Sequence, residues 1–178
     1  FVIDHAGTDE LQRKVIEGES DIGIAYNPLM TEATRSLAHS RQSLCAIVPR
    51  NSPLAERTSV SLAEVLEHPV AMLNAGYAIR HLVGQAAADR GLALRVQVET
   101  ASIPLLIRYV CAGVGVSFLP RFSATSQAER GDLAVLDIEE TSLQQVSTHL
   151  MVRARRRLPR SVSLVARHLA ENMLAFRN

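Results

Sequence analysis

Cysteine is scarce in this sequence: 178 residues contain only Cys45 and Cys111. Each lies inside an apolar run, where a free cysteine behaves as a small hydrophobic residue. Two cysteines give no sign of the disulfide framework of small secreted domains. The sequence therefore predicts two buried free thiols in a reducing, cytoplasmic compartment, and nothing in the pattern supports a disulfide between them.

An excess of charge is also lacking, since 19 Lys and Arg residues face 18 Asp and Glu residues for a net charge of +1. This balance gives no global electrostatic reason to bind nucleic acid or an anionic membrane. No apolar run approaches the roughly 20 residues of a membrane span. Phe1 opens a strand-like run instead of a signal peptide, so we expect a soluble chain that starts within a fold.

The common catalytic and metal-binding patterns are missing. There is no G-x-S-x-G elbow, no S-x-x-K and no Walker lysine. The six histidines, at positions 5, 39, 68, 81, 149 and 168, show no metal-ligand spacing. The sequence thus predicts no catalytic residue, no metal and no cofactor, and an enzyme is the least favoured class.

Strand and helix patterns alternate along the chain. "FVIDHAG" is typical of a strand, "TDELQRKVIEG" of a helix capped by Thr8 or Asp9, and "SDIGIAY" of a buried strand. A polar stretch follows, to which no strand or helix is assigned. "PVAML", the helical residues 76–90 and "RVQVET" form a second strand–helix–strand series. These βαβ units predict an α/β fold with parallel strands covered by helices.

The segment "VETASIPLLIRYVCAGVGVSFLP", residues 98–120, raises the question of a phosphate-binding glycine loop. Its apolar residues have helical spacing and predict a helix over residues 102–112, buried along Ile103, Leu106, Ile107, Val110 and Cys111. The glycines follow this helix, whereas in a phosphate loop they open one. Gly113 is therefore expected to be a left-handed helix stop, and Gly115 a tight entry into the next strand.

A ligand would bind at the other end of this helix. "ETAS" is a strand-to-helix turn, where Thr100 and Ser102 offer hydroxyls beside the open N–H groups of a helix start. Ligands of open α/β sheets bind outside the carboxyl ends of strands. The alternative is that Ser102 only caps the helix, and both roles are compatible.

The run "VRARRRLPR" places Arg153, Arg155, Arg156, Arg157 and Arg160 between a strand and the closing helical pattern of residues 158–178. A nucleic-acid patch is one interpretation. A solvated loop is favoured, because no aromatic residues are interleaved and the overall charge is balanced.

Several segments, in order, resemble the effector-binding domain of LysR-type transcriptional regulators. They are "SDIGIAY", "LCAIVPRNSPLAERTSVSLAEVLEHPVAML", "VETASIPLLIRYVCAGVGVSFLPR" and "GDLAVL". The resemblance covers nearly the whole chain. It implies two Rossmann-like α/β subdomains of the type II periplasmic-binding-protein kind, joined by two crossing strands near residues 44–49 and 147–152. Subdomain I would comprise residues 1–44 and 149–178, and subdomain II residues 45–148.

The implied function is to sense a small-molecule effector, such as a small organic acid, in a cleft between the subdomains and so to modulate transcription. The expected effector contacts stand at strand-end turns and helix starts: Thr8, Tyr26, Asn74, Tyr77, Thr100 and Ser102. The alternative is the solute-binding protein of a transporter, which shares this fold.

The resemblance also implies partners. The helix at 76–90 would pair with a second chain in a homodimer or tetramer, and a solvated helix on a monomer is the alternative. DNA would be bound only through an N-terminal helix-turn-helix domain outside this sequence, and RNA polymerase is a further candidate partner. No membrane contact is expected. The family's first strand and helix of subdomain I also lie outside this sequence.

Overall fold

The computed structural model describes residues 1–176 and has alternating strands and helices. Strands are β1 Gly23–Tyr26, β2 Thr34–Gln42, β3 Leu44–Pro49, β4 Ser59–Val60, β5 Val70–Leu73, β6 Val96–Thr100, β7 Ser117–Pro120, β8 Leu133–Ile138 and β9 Val146–Arg153. Helices are α1 Thr8–Glu17, α2 Leu62–Leu66, α3 Ala78–Asp89, α4 Ile103–Cys111, α5 Thr125–Glu129, α6 Thr141–Gln144 and α7 Arg160–Asn172. Arg177 and Asn178, at the end of the predicted closing helix, lie outside the described residues.

The chain divides into two compact units. Unit 1 combines Phe1–Arg41 with the chain from Ser147 onward, and unit 2 is the continuous segment Gln42–Val146. Unit 1 contains a three-stranded sheet in the order β1-β9-β2. β1 pairs antiparallel with β9, so that Tyr26 stands opposite Thr148. Helix α1 covers β1, and a Cβ at Gly23 would approach the side chain of Val15 to 2.9 Å.

One prediction for unit 1 is wrong, and one strand of unit 1 was not predicted. Residues 1–7 form no strand, and the side chains of Phe1, Val2 and Ile3 are exposed. A strand needs a ladder partner, and no described strand pairs with residues 1–7. β1 pairs antiparallel with the distant β9, so no parallel βαβ unit forms here. The polar stretch after Tyr26 contains β2, whose alternating pattern of exposed and covered residues is that of a strand with one face toward water.

The core of unit 2 lies around β3, which is buried along its whole length. β3 lies between β8 and β7 and is antiparallel to both, while β4 adds to β8 in parallel. β5 and β6 form a parallel pair connected by α3, which confirms the second predicted strand–helix–strand series. A single parallel bridge, Val70 to Val116, connects this pair to the sheet around β3.

Gly115 makes that bridge sterically feasible. A Cβ atom at this position would lie 2.1 Å from the carbonyl oxygen of Pro69 and 2.8 Å from the hydroxyl of Tyr109. The close approach allows Val116 N–H to donate to Pro69 C=O at 2.8 Å and Ala71 N–H to donate to Val116 C=O at 3.0 Å. Gly113 has φ +76°, the left-handed conformation expected after a helix.

Helix α4 follows the predicted pattern at its centre, whereas Ile103 is only half-buried. Leu106, Ile107 and Val110 are buried, as the periodicity requires. Cys111 is exposed, so the prediction of two buried thiols holds only for Cys45. Cys111 keeps the spacing of the buried stripe, but it is the last residue of the helix and is exposed there.

Candidate functional site: the turns after β5 and β6

Two turns meet at the carboxyl ends of the parallel strands β5 and β6. Leu73 and Thr100 are partners in the ladder, and Asn74 N–H donates to the Thr100 carbonyl at 3.1 Å. Tyr77 N–H donates to the Asn74 carbonyl at 3.1 Å, which closes the first turn before α3. The structure therefore brings together four of the predicted site residues, Asn74, Tyr77, Thr100 and Ser102, at one edge of one sheet.

The second turn is held by its own hydroxyl groups. Thr100 Oγ1 accepts from Ser102 N–H at 3.1 Å, and Ser102 Oγ accepts from Leu105 N–H at 3.3 Å. Ser102 is thus the N-cap of α4, which confirms the predicted capping role. Each hydroxyl still has a proton to donate, so capping leaves both groups able to bind a ligand.

Both helices after these turns start at this edge. Tyr77 is the N-cap of α3 and makes no side-chain capping hydrogen bond, while α4 has Pro104 in its first turn. The amino ends of helices carry partial positive charge and N–H groups without intrahelical partners. Two helix starts at one edge therefore favour a negatively charged or strongly polar ligand group there.

Ionised side chains are absent from the two turns themselves. Residues 74–79 and 100–105 contain no Asp, Glu, Lys or Arg. Asn74 and Ser102 are exposed, and Tyr77 and Thr100 are half-buried. The nearest arginine in sequence, Arg80, lies with its guanidinium 3.6 Å from the Glu99 carboxylate. This arrangement offers hydroxyl, amide and peptide N–H groups, which can bind and orient a ligand.

The two other predicted contacts lie in unit 1. Thr8 is the first residue of α1, but neither Thr8 nor Asp9 caps the helix, because Gly7 occupies the N-cap. Tyr26 is the last residue of β1. Asn27, which follows it, has φ +48° and donates its N–H to the Ser147 carbonyl at 2.6 Å. Whether Thr8 and Tyr26 contact the effector stays a prediction.

A surface pocket in unit 2 was missed by the sequence analysis. It has a volume of about 270 Å³ and is lined by Pro49, Asn51, Ser52, Pro53, His68, Pro69 and residues 113–116. Pro69 precedes β5 and Val116 precedes β7, so the pocket lies at the edge opposite the two turns. The sequence signal for this pocket was the glycine pair 113 and 115, since glycine allows one backbone segment to approach another closely, as Gly115 approaches Pro69.

Neither cysteine has the environment of a nucleophile. Burial raises the pKa of the Cys45 thiol to about 11, and its Sγ lies 3.6 Å from Asp137 Oδ1. Partial desolvation also raises the pKa of the Cys111 thiol. Within residues 1–176, no group of three or more His, Cys, Asp or Glu side chains is placed to hold a metal ion. No described helix is long and apolar enough to cross a membrane.

The family model described as "LysR substrate binding domain" matches residues 1–174. The HTH-type transcriptional activator CmpR of Synechocystis sp. is 30% identical over 57% of this chain and 34% of its own length. The HTH-type transcriptional regulator SsuR of Burkholderia cenocepacia is 24% identical over 93% of this chain and 55% of its own length. The chain thus spans about a third to a half of these curated relatives.

Solved structures share the fold. The CcmR regulatory domain of Synechocystis PCC6803, in complex with 2-PG, has a TM-score of 0.75 at 19% identity and covers 95% of this chain and 81% of its own. The effector-binding domain of QuiR in complex with shikimate has a TM-score of 0.73 at 16% identity, with the same coverage. The predicted fold class, α/β subdomains of the type II periplasmic-binding-protein kind, is confirmed.

Proposed function

Because the chain belongs to the LysR substrate-binding domain family, we propose that it is the ligand-sensing domain of a bacterial LysR-type transcription factor. The observation that carries this proposal is the junction of the β5 and β6 turns, where hydroxyl groups and two helix starts meet. A small effector binds there and biases an equilibrium between conformations of the complete regulator. The relatives named above are transcriptional regulators, which favours this role over that of a transporter's solute-binding protein.

The effector is a small polar molecule with an acidic group. The turns contain no ionised side chain, so recognition rests on Thr100, Ser102, Asn74 and the amino ends of α3 and α4. Shikimate and 2-PG, named with two structural neighbours, are of this size and chemistry and serve as the first probes. The site performs no bond-breaking chemistry in this proposal, and the regulator acts in the cytoplasm.

Calorimetric titration of this chain with shikimate and 2-PG, followed by other small organic acids, tests the site. We expect Thr100→Val and Ser102→Ala each to weaken binding of a responding acid by about tenfold, since a hydrogen bond to a charged group contributes about 1.5 kcal/mol or more. Ser61→Ala is the matched control, because Ser61 also caps a helix of unit 2 but lies at α2. Equal affinity in both site variants and the control would exclude these turns.

Operator-specific DNA contact by the complete regulator is proposed to come from a helix-turn-helix segment outside this chain, and RNA polymerase remains a candidate partner of that larger protein. The curated relatives named above carry the description HTH-type, and this chain covers only part of them. Deleting the helix-turn-helix from the full-length gene product is expected to abolish binding to its operator in a gel-shift assay. Retained operator-specific binding would contradict the assignment.

A homodimer formed through α3 is also proposed. The helix buries Ile79, Val83, Ala86 and Ala87 within unit 2 and leaves Ala88 exposed at its end. Sedimentation of a chain with the complete domain is expected to show a dimer or tetramer, and Ala88→Glu is expected to shift it toward monomer. A monomer at high micromolar concentration without the substitution would exclude this interface.

A further inference from the structure

Positive charge is concentrated in one segment of unit 1, although the whole chain is balanced. Residues 147–176 contain six arginines, and Glu171 is their only acidic residue. Five of these arginines fall between positions 153 and 160, at the end of β9, in the following loop and at the start of α7. All five are exposed. We call Arg153, Arg155, Arg156, Arg157 and Arg160 the arginine segment.

Few acidic groups neutralise this segment. Arg156 Nη1 lies 3.6 Å from Asp21 Oδ1, and both side chains are about half exposed. The other four arginines form no ion pair with a described residue. Glu17 and Glu19, the carboxylates next to Gly18, are already bound by Arg13. The segment therefore keeps most of its positive charge.

The fold brings arginines together at this place. The guanidinium groups of Arg153 and Arg156 both lie near Gly18, 3.8 and 3.4 Å from the position that a Cβ would occupy there. The loop is tied to the sheet, since Ala154 N–H donates to the Ala33 carbonyl at 2.9 Å. A surface potential depends on such local clustering, which the overall charge of +1 conceals.

The start of α7 adds to this potential. Arg160 occupies the first helical position, the first turn contains no acidic residue, and no side chain caps the helix within the described chain. A cation at the amino end of a helix is opposed by the helix dipole. Arginine at this position is unfavourable for the isolated helix and becomes favourable when an anion binds beside it.

We propose that the arginine segment is a contact surface for the phosphate backbone of duplex DNA. Arginine matches phosphate oxygens with paired N–H donors. Residues 153–160 contain no aromatic side chain on which unpaired bases could stack, and no exposed large apolar side chain that could insert into a membrane. The contact is independent of sequence and adds to the operator contacts of the complete regulator. It thus goes beyond the effector binding proposed above.

The test uses this chain and a short duplex of random sequence, with binding followed by fluorescence anisotropy at several salt concentrations. Binding at low salt is expected, with a logarithmic salt slope of about 0.9 per contacted phosphate. The variant Arg155→Gln, Arg157→Gln, Arg160→Gln removes three exposed arginines without an ion pair. It is expected to reduce the slope by about 2 to 3 and the affinity at low salt by at least about tenfold.

The matched control carries the same change of charge in unit 2: Arg50→Gln, Arg95→Gln and Arg108→Gln, three exposed arginines that also form no ion pair with described residues. Binding equal to that of the parent chain is expected. Equal losses in the control and test variants, or no duplex binding at low salt, would overturn the proposal. The proposal would also be overturned if the chain bound polyglutamate of matched charge as tightly as it binds the duplex. The same holds if the triple substitution weakened binding only to phosphatidylserine vesicles. Circular dichroism of all three proteins confirms that they are folded, and none of these outcomes depends on the effector site.

Discussion

His39 and His149 stack their imidazole rings on neighbouring strands of the unit 1 sheet, with ring centroids 5.6 Å apart and ring planes 18° apart. His149 also contacts Ser147 Oγ at 2.8 Å through Nε2 and Ser36 Oγ at 3.2 Å through Nδ1. Ser36 donates its own proton to the Ala38 carbonyl, so Ser36 accepts from Nδ1–H of His149. The neutral ring then accepts from Ser147 at Nε2.

We expect this pair to make stability depend on pH. Burial, and then the charge of His39, lower the pKa of His149 below its ordinary value of 6.5. The unfolded chain therefore takes up the proton at a higher pH than the folded chain. Stability is full above about pH 6.5 and falls as the pH decreases toward the folded-state pKa. Urea titrations between pH 8 and pH 5 measure the free energy of unfolding at each pH, and the unfolding of unit 1 is followed separately from that of unit 2.

The variant His149→Gln is expected to lose this part of the pH dependence. His81→Gln, which changes an exposed histidine of α3, is expected to behave like the parent chain. The same pH profile in all three proteins would show that the stacked pair does not contribute.

Gly115 is expected to tolerate no side chain. Gly115→Ala places a methyl group 2.1 Å from the Pro69 carbonyl oxygen and 2.9 Å from its carbon, both rigid backbone atoms. Overpacking of this kind costs about 1 to 3 kcal/mol in the free energy of unfolding. Gly84→Ala is the control: Gly84 lies inside α3, the nearest atom to its Cβ position is Arg80 Nη1 at 3.8 Å, and alanine there should stabilise by about 0.5 to 1 kcal/mol. In thermal unfolding, Gly115→Ala is expected to lower the stability of the chain and Gly84→Ala to raise it. A change in the same direction in both variants would contradict this prediction.

Thiol labelling is expected to separate the two cysteines. Cys111 is exposed, whereas Cys45 is buried and its pKa is raised to about 11. At pH 8 one thiol of the folded chain should react with an aromatic disulfide reagent, and the second only after denaturant is added. Cys111→Ser should remove the reaction of the folded chain. Two thiols reacting at similar rates before unfolding would show that β3 is more open than the structure indicates.

A capping box stabilises α2 and gives a further prediction. Ser61 Oγ accepts from Glu64 N–H at 3.3 Å, and the Glu64 carboxylate accepts from Ser61 N–H at 3.0 Å. The Arg57 guanidinium, followed by hydrogen bonds from the hydroxyl and the N–H of Ser61 to the carboxylate, lowers the pKa of Glu64 to about 2. Ser61→Ala is expected to lower the free energy of unfolding by about 1 kcal/mol in urea titration. Ser126→Ala, which has no capping role, should leave it unchanged.

The sequence predicted elements whose signals are local. The spacing of four apolar residues predicted α4 correctly, because a buried helical face repeats every three to four residues. These residues are Ile103, Leu106, Ile107 and Val110. The junction of the two turns was also predictable, since parallel neighbouring strands end at the same edge. Thr100 is the last residue of β6 and Ser102 lies two residues beyond it, so both were predictable as members of this turn.

Predictions failed where the partner of a segment lies far away in sequence. Residues 1–7 have a strand-like composition, yet strand formation depends on a neighbouring strand, and no described strand pairs with them. β2 was missed because its polar residues resemble a connection when its partner β9, more than a hundred residues later, is unknown. The clustering of arginines near Gly18 likewise depends on β9 meeting α1 in three dimensions.

The order of the sheet in unit 1 has a consequence for biosynthesis. β9 is its central strand, between β1 and β2, and it is made more than a hundred residues after β2. A nascent chain therefore emerges from the ribosome with β1 and β2 still separated, while the continuous segment Gln42–Val146 already has all the strands of its own sheets. Unit 2 can fold during translation, whereas the unit 1 sheet must wait for β9. Until then the segments of β1 and β2 are unpaired and open to aggregation or to chaperones.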